Sequence, residues 1–164
     1  IIADRPLVDS TVLIYRDTLW LFSSSVDNQN LYLFYAEHPE GPWMEHPGSP
    51  IVSGNGRDAR PAGNFLDTGD RLIRFSQDSR EYGDKYGKAV RGFEIVTLTR
   101  EEYRERPLQN NPLLEGSGSG WNSEGMHQIS AWPLNDGRWI AAVDGKHRSN
   151  QYVFCLGKLI FRVP

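Results

Sequence analysis

Residues 11–23 read TVLIYRDTLWLFS, and the fold turns on how they are read. An apolar, partly β-branched run (11–15) is followed by the polar break Arg16-Asp17-Thr18 and a second apolar run (19–23). That pattern predicts two antiparallel strands joined by a tight turn. Working outward, residues 31–36 read as a third strand, entered from Asp27-Asn28-Gln29-Asn30. Residues 43–46 form a short fourth, between Gly41-Pro42 and Pro47-Gly48. Four successive strands within about 45 residues match one propeller blade in size.

The pattern recurs. Residues 61–66 lead through Asp67-Thr-Gly-Asp70 into 71–75, with a long strand at 89–98 and a short one at 103–106. A third pass runs from 127–133 through Asn135-Asp-Gly137 into 138–144. It continues with 152–156 and 159–163, with Gly157-Lys158 as a two-residue turn. Aligned on their first hairpins, 10–22, 61–73 and 128–140 match in length and turn position. The residues just before them are Asp9, Arg60 and His127, spaced by 51 and 67 residues. Blades recur at roughly 40–50 residues, and the Gly/Ser-rich loop 115–120 accounts for the longer interval. The only helical signal is a single capped turn at Thr99-Arg-Glu-Glu.

The expected fold is therefore all-β: about three four-stranded antiparallel blades of a five-bladed β-propeller. One partial propeller domain would span 1–164, with blades at about 1–54, 55–112 and 113–164. A full ring needs roughly 250 residues at this repeat length, so strand edges should remain exposed. The chain begins at Ile1 in mid-pattern without a Met, which suggests a piece of something longer.

Composition narrows the function. Aromatics are 12% of the 164 residues, and 16 Gly with 10 Pro suit a turn-rich β chain. Lys+Arg number 18 against 21 Asp+Glu, for a net charge of −3, and no basic block occurs. Such a balance argues against nucleic acid as a partner. No run approaches the roughly 18–20 apolar residues of a membrane span. Cys155 is the only cysteine, and its apolar strand context reads as a buried thiol. His38, His46 and His147 lack metal-ligand spacing, so neither a metal nor a cofactor is expected. One free thiol and no glycosylation sequon suit a bacterial cytoplasm.

In a propeller, the start of each innermost strand faces the central pocket, which would bring Asp9, Arg60 and His127 together. Asp9 reads as a pocket carboxylate or a strand-start residue. Arg60, held extended before Pro61, suits a carboxylate, phosphate or sugar ligand, and equally a salt bridge to Asp9 or Asp58. Glu124, three residues before His127, reads as a second pocket carboxylate or a solvated loop acid. Two carboxylates roughly 5–10 Å apart across a pocket are what glycoside cleavage requires. Gln77, Asp78 and Tyr86 offer the amide, carboxylate and aromatic groups that sugars need. Trp121 is a stacking platform or a loop anchor, whereas Trp20, Trp43 and Trp139 read as core.

The combination Val8-Asp9-Ser-Thr-Val, Leu19-Trp-Leu-Phe22, Gly41-Pro-Trp43 and His46-Pro47 resembles a blade of the five-bladed propellers of glycoside hydrolase family 43. Arg60-Pro-Ala-Gly63, Arg74 with Gln77-Asp78, and Tyr86-Gly87 more specifically resemble the N-terminal propeller of glucosamine inositolphosphorylceramide transferase-like proteins, plant and bacterial. The resemblance covers residues 8–144. It implies a carbohydrate-binding or carbohydrate-processing module, with Asp9 and Glu124 as candidate catalytic carboxylates. Arg60, Arg74, Gln77, Asp78, Tyr86, Trp121 and His127 are the implied substrate-binding residues. Family 43 enzymes use three carboxylates on different blades, and here Arg60 and His127 stand at two of the blade starts. That departure favours binding over hydrolysis, with an anionic or phosphorylated glycan as the expected ligand. The alternatives are an active glycosidase using Asp9 and Glu124, and a scaffold without sugar chemistry. Expected partners are a glycan or glycoconjugate and the remaining blades or an adjoining domain of the parent chain.

Overall fold

Three antiparallel sheets follow one another along the chain in the computed structural model. It describes residues 4–79, 87–147 and 153–162, with 153–156 described by backbone alone. The first sheet is the expected meander, in the order β1 (Leu7–Tyr15), β2 (Thr18–Ser25), β3 (Leu31–Ala36) and β4 (Met44–Glu45). Arg16 and Asp17 both take positive φ in the β1–β2 turn, as two-residue hairpins require.

The second sheet is built around β7 (Leu72–Gln77) and β8 (Ala89–Leu98). Short pieces flank them: β5 (Arg60–Pro61) and β6 (Leu66–Asp67) pair with β7, and β9 (Tyr103–Pro107) and β10 (Leu114–Glu115) pair with β8. The third sheet has β11 (Ile129–Pro133), β12 (Trp139–His147) and β13 (Val153–Phe161). Only the first sheet is a plain four-stranded meander. The sheets lie within the three expected segments except for Leu114–Glu115, which joins the second.

Two strand expectations need correction. The run 61–66 is not one strand, because Gly63 at φ +124° breaks it between β5 and β6. Any side chain at Gly63 would sit 1.9 Å from the Ile129 carbonyl, so the backbones of two sheets touch there. Ala62 accepts from the Ile129 N–H at 2.7 Å, and Asn64 exchanges two bonds with Ala131. Nor does Gly157-Lys158 turn. Gly157 pairs with Val143 and Lys158 with Ala142 in an unbroken ladder along β12. Gly157 instead leaves room for the Trp121 ring, 2.5 Å from where its Cβ would lie. The capped turn at Thr99 is present, with its Oγ1 accepting from Glu101 and Glu102 N–H. The one helical element described is a 3₁₀ turn at Gly120–Asn122.

The second sheet is covered on both faces. All six residues of β7 are buried. Strand alternation sends Leu72 toward the first sheet, with Leu13, Trp20, Phe22 and Leu33, and Ile73 and Phe75 toward the third, with Ile129, Ala141 and Val143. Of the tryptophans expected in the core, Trp20 is buried and Trp43 and Trp139 are partly so. The ladder of β13 places Cys155 opposite Gly145, and its side chain lies outside what is described. β13 pairs with β12 on one side and has no partner on the other among the described residues. On the first sheet, Val12 (51% exposed) and Ile14 (74%) face away from the second. No helix is long and apolar enough to cross a membrane.

Among the described residues, the most deeply buried charged side chain lies inside this framework. Arg74 on β7 is buried, stacks on Phe93 at 4.6 Å, and donates from Nε and Nη2 to both oxygens of Glu105 at 2.8 and 2.7 Å. Its Nη1 donates to the Asp58 carbonyl at 3.0 Å. Burial opposes the guanidinium's charge, but Glu105 holds its pKa above the usual arginine value. Breaking such a pair strands a buried charge. Glu105→Gln should therefore lower stability by about 3–5 kcal/mol in urea denaturation.

Candidate functional site

Asp9 owes its position to a bulge. The register of β1 against β2 slips between Val8 and Thr11, inserting one residue opposite the partner strand. Asp9 sits in that bulge at φ +50°, a left-handed conformation that Asp tolerates better than most residues. Two serines support the distortion: Ser23 Oγ donates to the Val8 carbonyl at 3.2 Å and meets Ser10 Oγ at 2.7 Å.

The bulge brings the Asp9 carboxylate to the second sheet. Arg60 Nε donates to Asp9 Oδ2 at 2.6 Å, and Gln77 Nε2 donates to the same oxygen at 2.8 Å. Arg60 Nη1 donates to Asn28 Oδ1 at 2.7 Å. Gln77 is fully buried and is itself fixed, with Nε2 also donating to the Pro61 carbonyl at 2.9 Å. Asp9 is more open, its side chain 29% exposed against 14% for Arg60. Both donors go to Oδ2, and among the described residues Oδ1 accepts no hydrogen bond. Of the two salt-bridge partners open to Arg60, the one it takes is Asp9. Asp58 pairs with Arg91 at 2.8 Å.

The remaining expected residues divide. Asp78 follows Gln77, is buried, and lies 3.9 Å from Arg57. Its backbone pairs with Ala89 and Lys88, which leads to Gly87, and Gly87 lies against His127. His127 Nδ1 binds the Asp144 carboxylate, whose Oδ1 also accepts from the backbone N–H of His127 and Gln128 at 3.1 and 2.9 Å. A continuous chain of contacts thus joins Asp9, Arg60 and Gln77 to the start of the third sheet. Tyr86 lies outside the described residues.

Arg74, Trp121 and Glu124 lie elsewhere. The Arg74 guanidinium is held by Glu105 and Asp58 inside the second sheet. Trp121 packs across Gly145 and Gly157 on β12 and β13, as an anchor for the Gly/Ser-rich loop, and remains 38% exposed. Glu124 lines a cavity of about 410 Å³ with Gly118, Ser119, Ser123 and His147, and Asp9 is not in its lining. Asn28, with φ +64° and 1% exposure, joins the Asp9 cluster without having been anticipated. Its place in the turn-like run Asp27-Asn-Gln-Asn30 gave the only hint. Among the described residues, no group of three or more His, Cys, Asp or Glu could hold a metal ion.

Burial alone would raise the Asp144 pKa. The hydrogen bond and charge of His127, with the two backbone donors, outweigh it and hold Asp144 below the usual carboxylate range. A lowered carboxylate stabilises the fold above its unfolded pKa of about 4, and that contribution disappears as pH falls through the lower folded value. Asp144→Asn should flatten the loss of stability below about pH 4, as read by urea midpoints between pH 2 and 7.

Residues 1–146 match the family described as "Glucosamine inositolphosphorylceramide transferase 1, N-terminal". Glucosamine inositolphosphorylceramide transferase 1 of Oryza sativa subsp. japonica is 35% identical over 155 residues, covering 88% of this chain and 20% of the relative. The Arabidopsis thaliana protein is 34% identical with the same coverage. The chain thus spans about a fifth of the length of the curated relatives it matches. These relatives are plant proteins, which corrects the bacterial setting expected from the cysteine and sequon content. Among solved structures, an endo-arabinase from Bacteroides thetaiotaomicron superposes with a TM-score of 0.62 at 16% identity, covering 92% of this chain and 55% of that one. Fructan 1-exohydrolase IIa from Cichorium intybus gives 0.65 at 16%, covering 93% and 30%. An alpha-L-arabinofuranosidase from Clostridium thermocellum gives 0.56 at 13%, covering 94% and 47%. At such identities the likeness is one of fold, that of the propeller hydrolases. By the match over residues 1–146, the chain belongs to the glucosamine inositolphosphorylceramide transferase 1 N-terminal family.

Proposed function

We propose that this chain is a carbohydrate-binding module, with the Asp9–Arg60–Gln77–Asn28 cluster as its glycan contact. The observation that carries the reading is the state of the Asp9 carboxylate. It is fixed through one oxygen by two donors, while its other oxygen accepts nothing among the described residues and its side chain stays partly open. A carboxylate so held is preorganised to accept a hydrogen bond from a ligand hydroxyl, with little ordering left to do on binding. Its left-handed backbone supports the same reading, since strain of this kind gathers at functional sites. His127, tied to Asp144 and adjoining Gly87, extends the polar surface toward the third sheet. An anionic glycan or glycoconjugate is the preferred class, because the cluster contains Arg60 and Arg57 lies beside Asp78, which follows Gln77.

In this reading residues 1–54, 55–112 and 113–164 are successive blades, and further blades or an adjoining domain of the parent chain are its neighbours. Structural relatives of which this chain covers about half support that arrangement. A glycosidase would need Glu124 to face Asp9 across one pocket, and Glu124 lines a cavity with His147 whose lining does not include Asp9. Hydrolysis is therefore not proposed.

Removing a charge-assisted hydrogen bond costs roughly 1.5–3 kcal/mol, or about 10–100-fold in affinity. On an array of neutral, uronic and phosphorylated glycans, the native protein should bind a defined subset. Asp9→Asn and Arg60→Ala should each weaken that binding at least about tenfold. Absence of binding to any glycan, or binding indifferent to both substitutions, would refute the proposal.

A further inference from the structure

Away from the polar cluster, a groove of about 510 Å³ lies between the second and third sheets. Ile73 and Phe75 of β7, Leu113 and Leu159 form much of its apolar lining. It falls in the size range of small-molecule sites, roughly 300–1,000 Å³, which are mostly apolar with a few placed polar groups. Its charged groups are distinctive. Among the described residues, the two charged groups that line it, Arg71 and Arg162, are both cationic and no carboxylate does, in a chain whose net charge is −3. Arg71 is held in place by Glu94, to which its Nε and Nη2 donate at 3.1 and 2.9 Å, and it keeps 34% exposure. Arg162 is exposed.

We propose that this groove is a binding site for a single-chain anionic amphiphile. The alkyl chain would lie between the sheets, against Phe75 and Leu159, and the anionic head would pair with Arg71 and Arg162. Apolar walls favour any hydrocarbon, and the charge on the lining selects the anion. Guanidiniums suit such a head because their planar donors match carboxylate and phosphate oxygens. The site is separate from the Asp9 cluster, and the inference does not depend on the carbohydrate reading.

The test is calorimetric titration of the 164-residue protein with decyl phosphate, kept below its micelle concentration. Decanol and inorganic phosphate serve as the two half-ligands. Saturable binding near one per chain is expected, at least fivefold tighter than decanol and with no measurable binding of phosphate. Arg162→Gln, on an exposed side chain, should weaken decyl phosphate at least fivefold while leaving decanol unchanged. Leu159→Trp should block both ligands, and near-UV circular dichroism checks that it still folds. If Leu159→Trp does not fold, Arg162→Gln decides alone. Non-saturating uptake, equal affinity for decanol and decyl phosphate, or indifference to Arg162→Gln would overturn the proposal. So would a concentration-dependent dimer of this chain that excludes decyl phosphate, since the groove would then be an interface between copies.

Discussion

Arg60 Nε and Asp9 Oδ2, 2.6 Å apart, join residues 51 positions distant and tie the first sheet to the second. Much else follows from that bond. The bulge in β1 places Asp9 where a regular strand would not, because the inserted residue interrupts the strict alternation of faces and re-aims the side chain. Gln77 and Asn28 complete the cluster from two further elements: strands from two sheets meet at one carboxylate, and the β2–β3 turn holds its arginine partner. A polar junction of this kind adds specificity of geometry to contacts that the apolar cores supply without direction.

The second sheet carries the packing. Its β7 strand is buried along its whole length, with one face on Trp20, Phe22 and Leu33 and the other on Ile129 and Val143. Arg74 in that strand is tolerated because Glu105, the Asp58 carbonyl and the Phe93 ring occupy its guanidinium. The same sheet supplies Arg60 and Gln77 at one end and walls the apolar groove along the other face. A central layer covered on both sides gives both regions a rigid base.

The propeller was legible in the sequence because its signal is periodic. The apolar runs at 11–15 and 19–23, repeated near 61–73 and 128–140, gave the hairpins. The residues ahead of them gave Asp9, Arg60 and His127. Gln77 was readable from its position at the end of the second strand of the hairpin that Arg60 precedes. Less readable were features that depend on contacts between distant segments. Gly157-Lys158 has turn composition, yet the ladder to Val143 and Ala142 and the Trp121 ring keep it in a strand. Arg74 looked like a ligand group, because nothing local reveals that Glu105 lies 31 residues away in reach of its side chain. Asn28 sat in a turn whose inward-facing amide no pattern announces. Glu124 was close to His127 in sequence, but the backbone pairing of Gly125 with Lys146 places it beside His147 instead.

Asp9 and Arg60 act as one unit between two sheets. A double-mutant cycle in urea, with Asp9→Asn, Arg60→Gln and the pair together, measures that directly. Coupled residues in one hydrogen-bond network show interaction energies of roughly 0.5–3 kcal/mol, and a value in that range is predicted here. Additive effects, with coupling indistinguishable from zero, would mean that the ion pair does not join the sheets and would contradict the account.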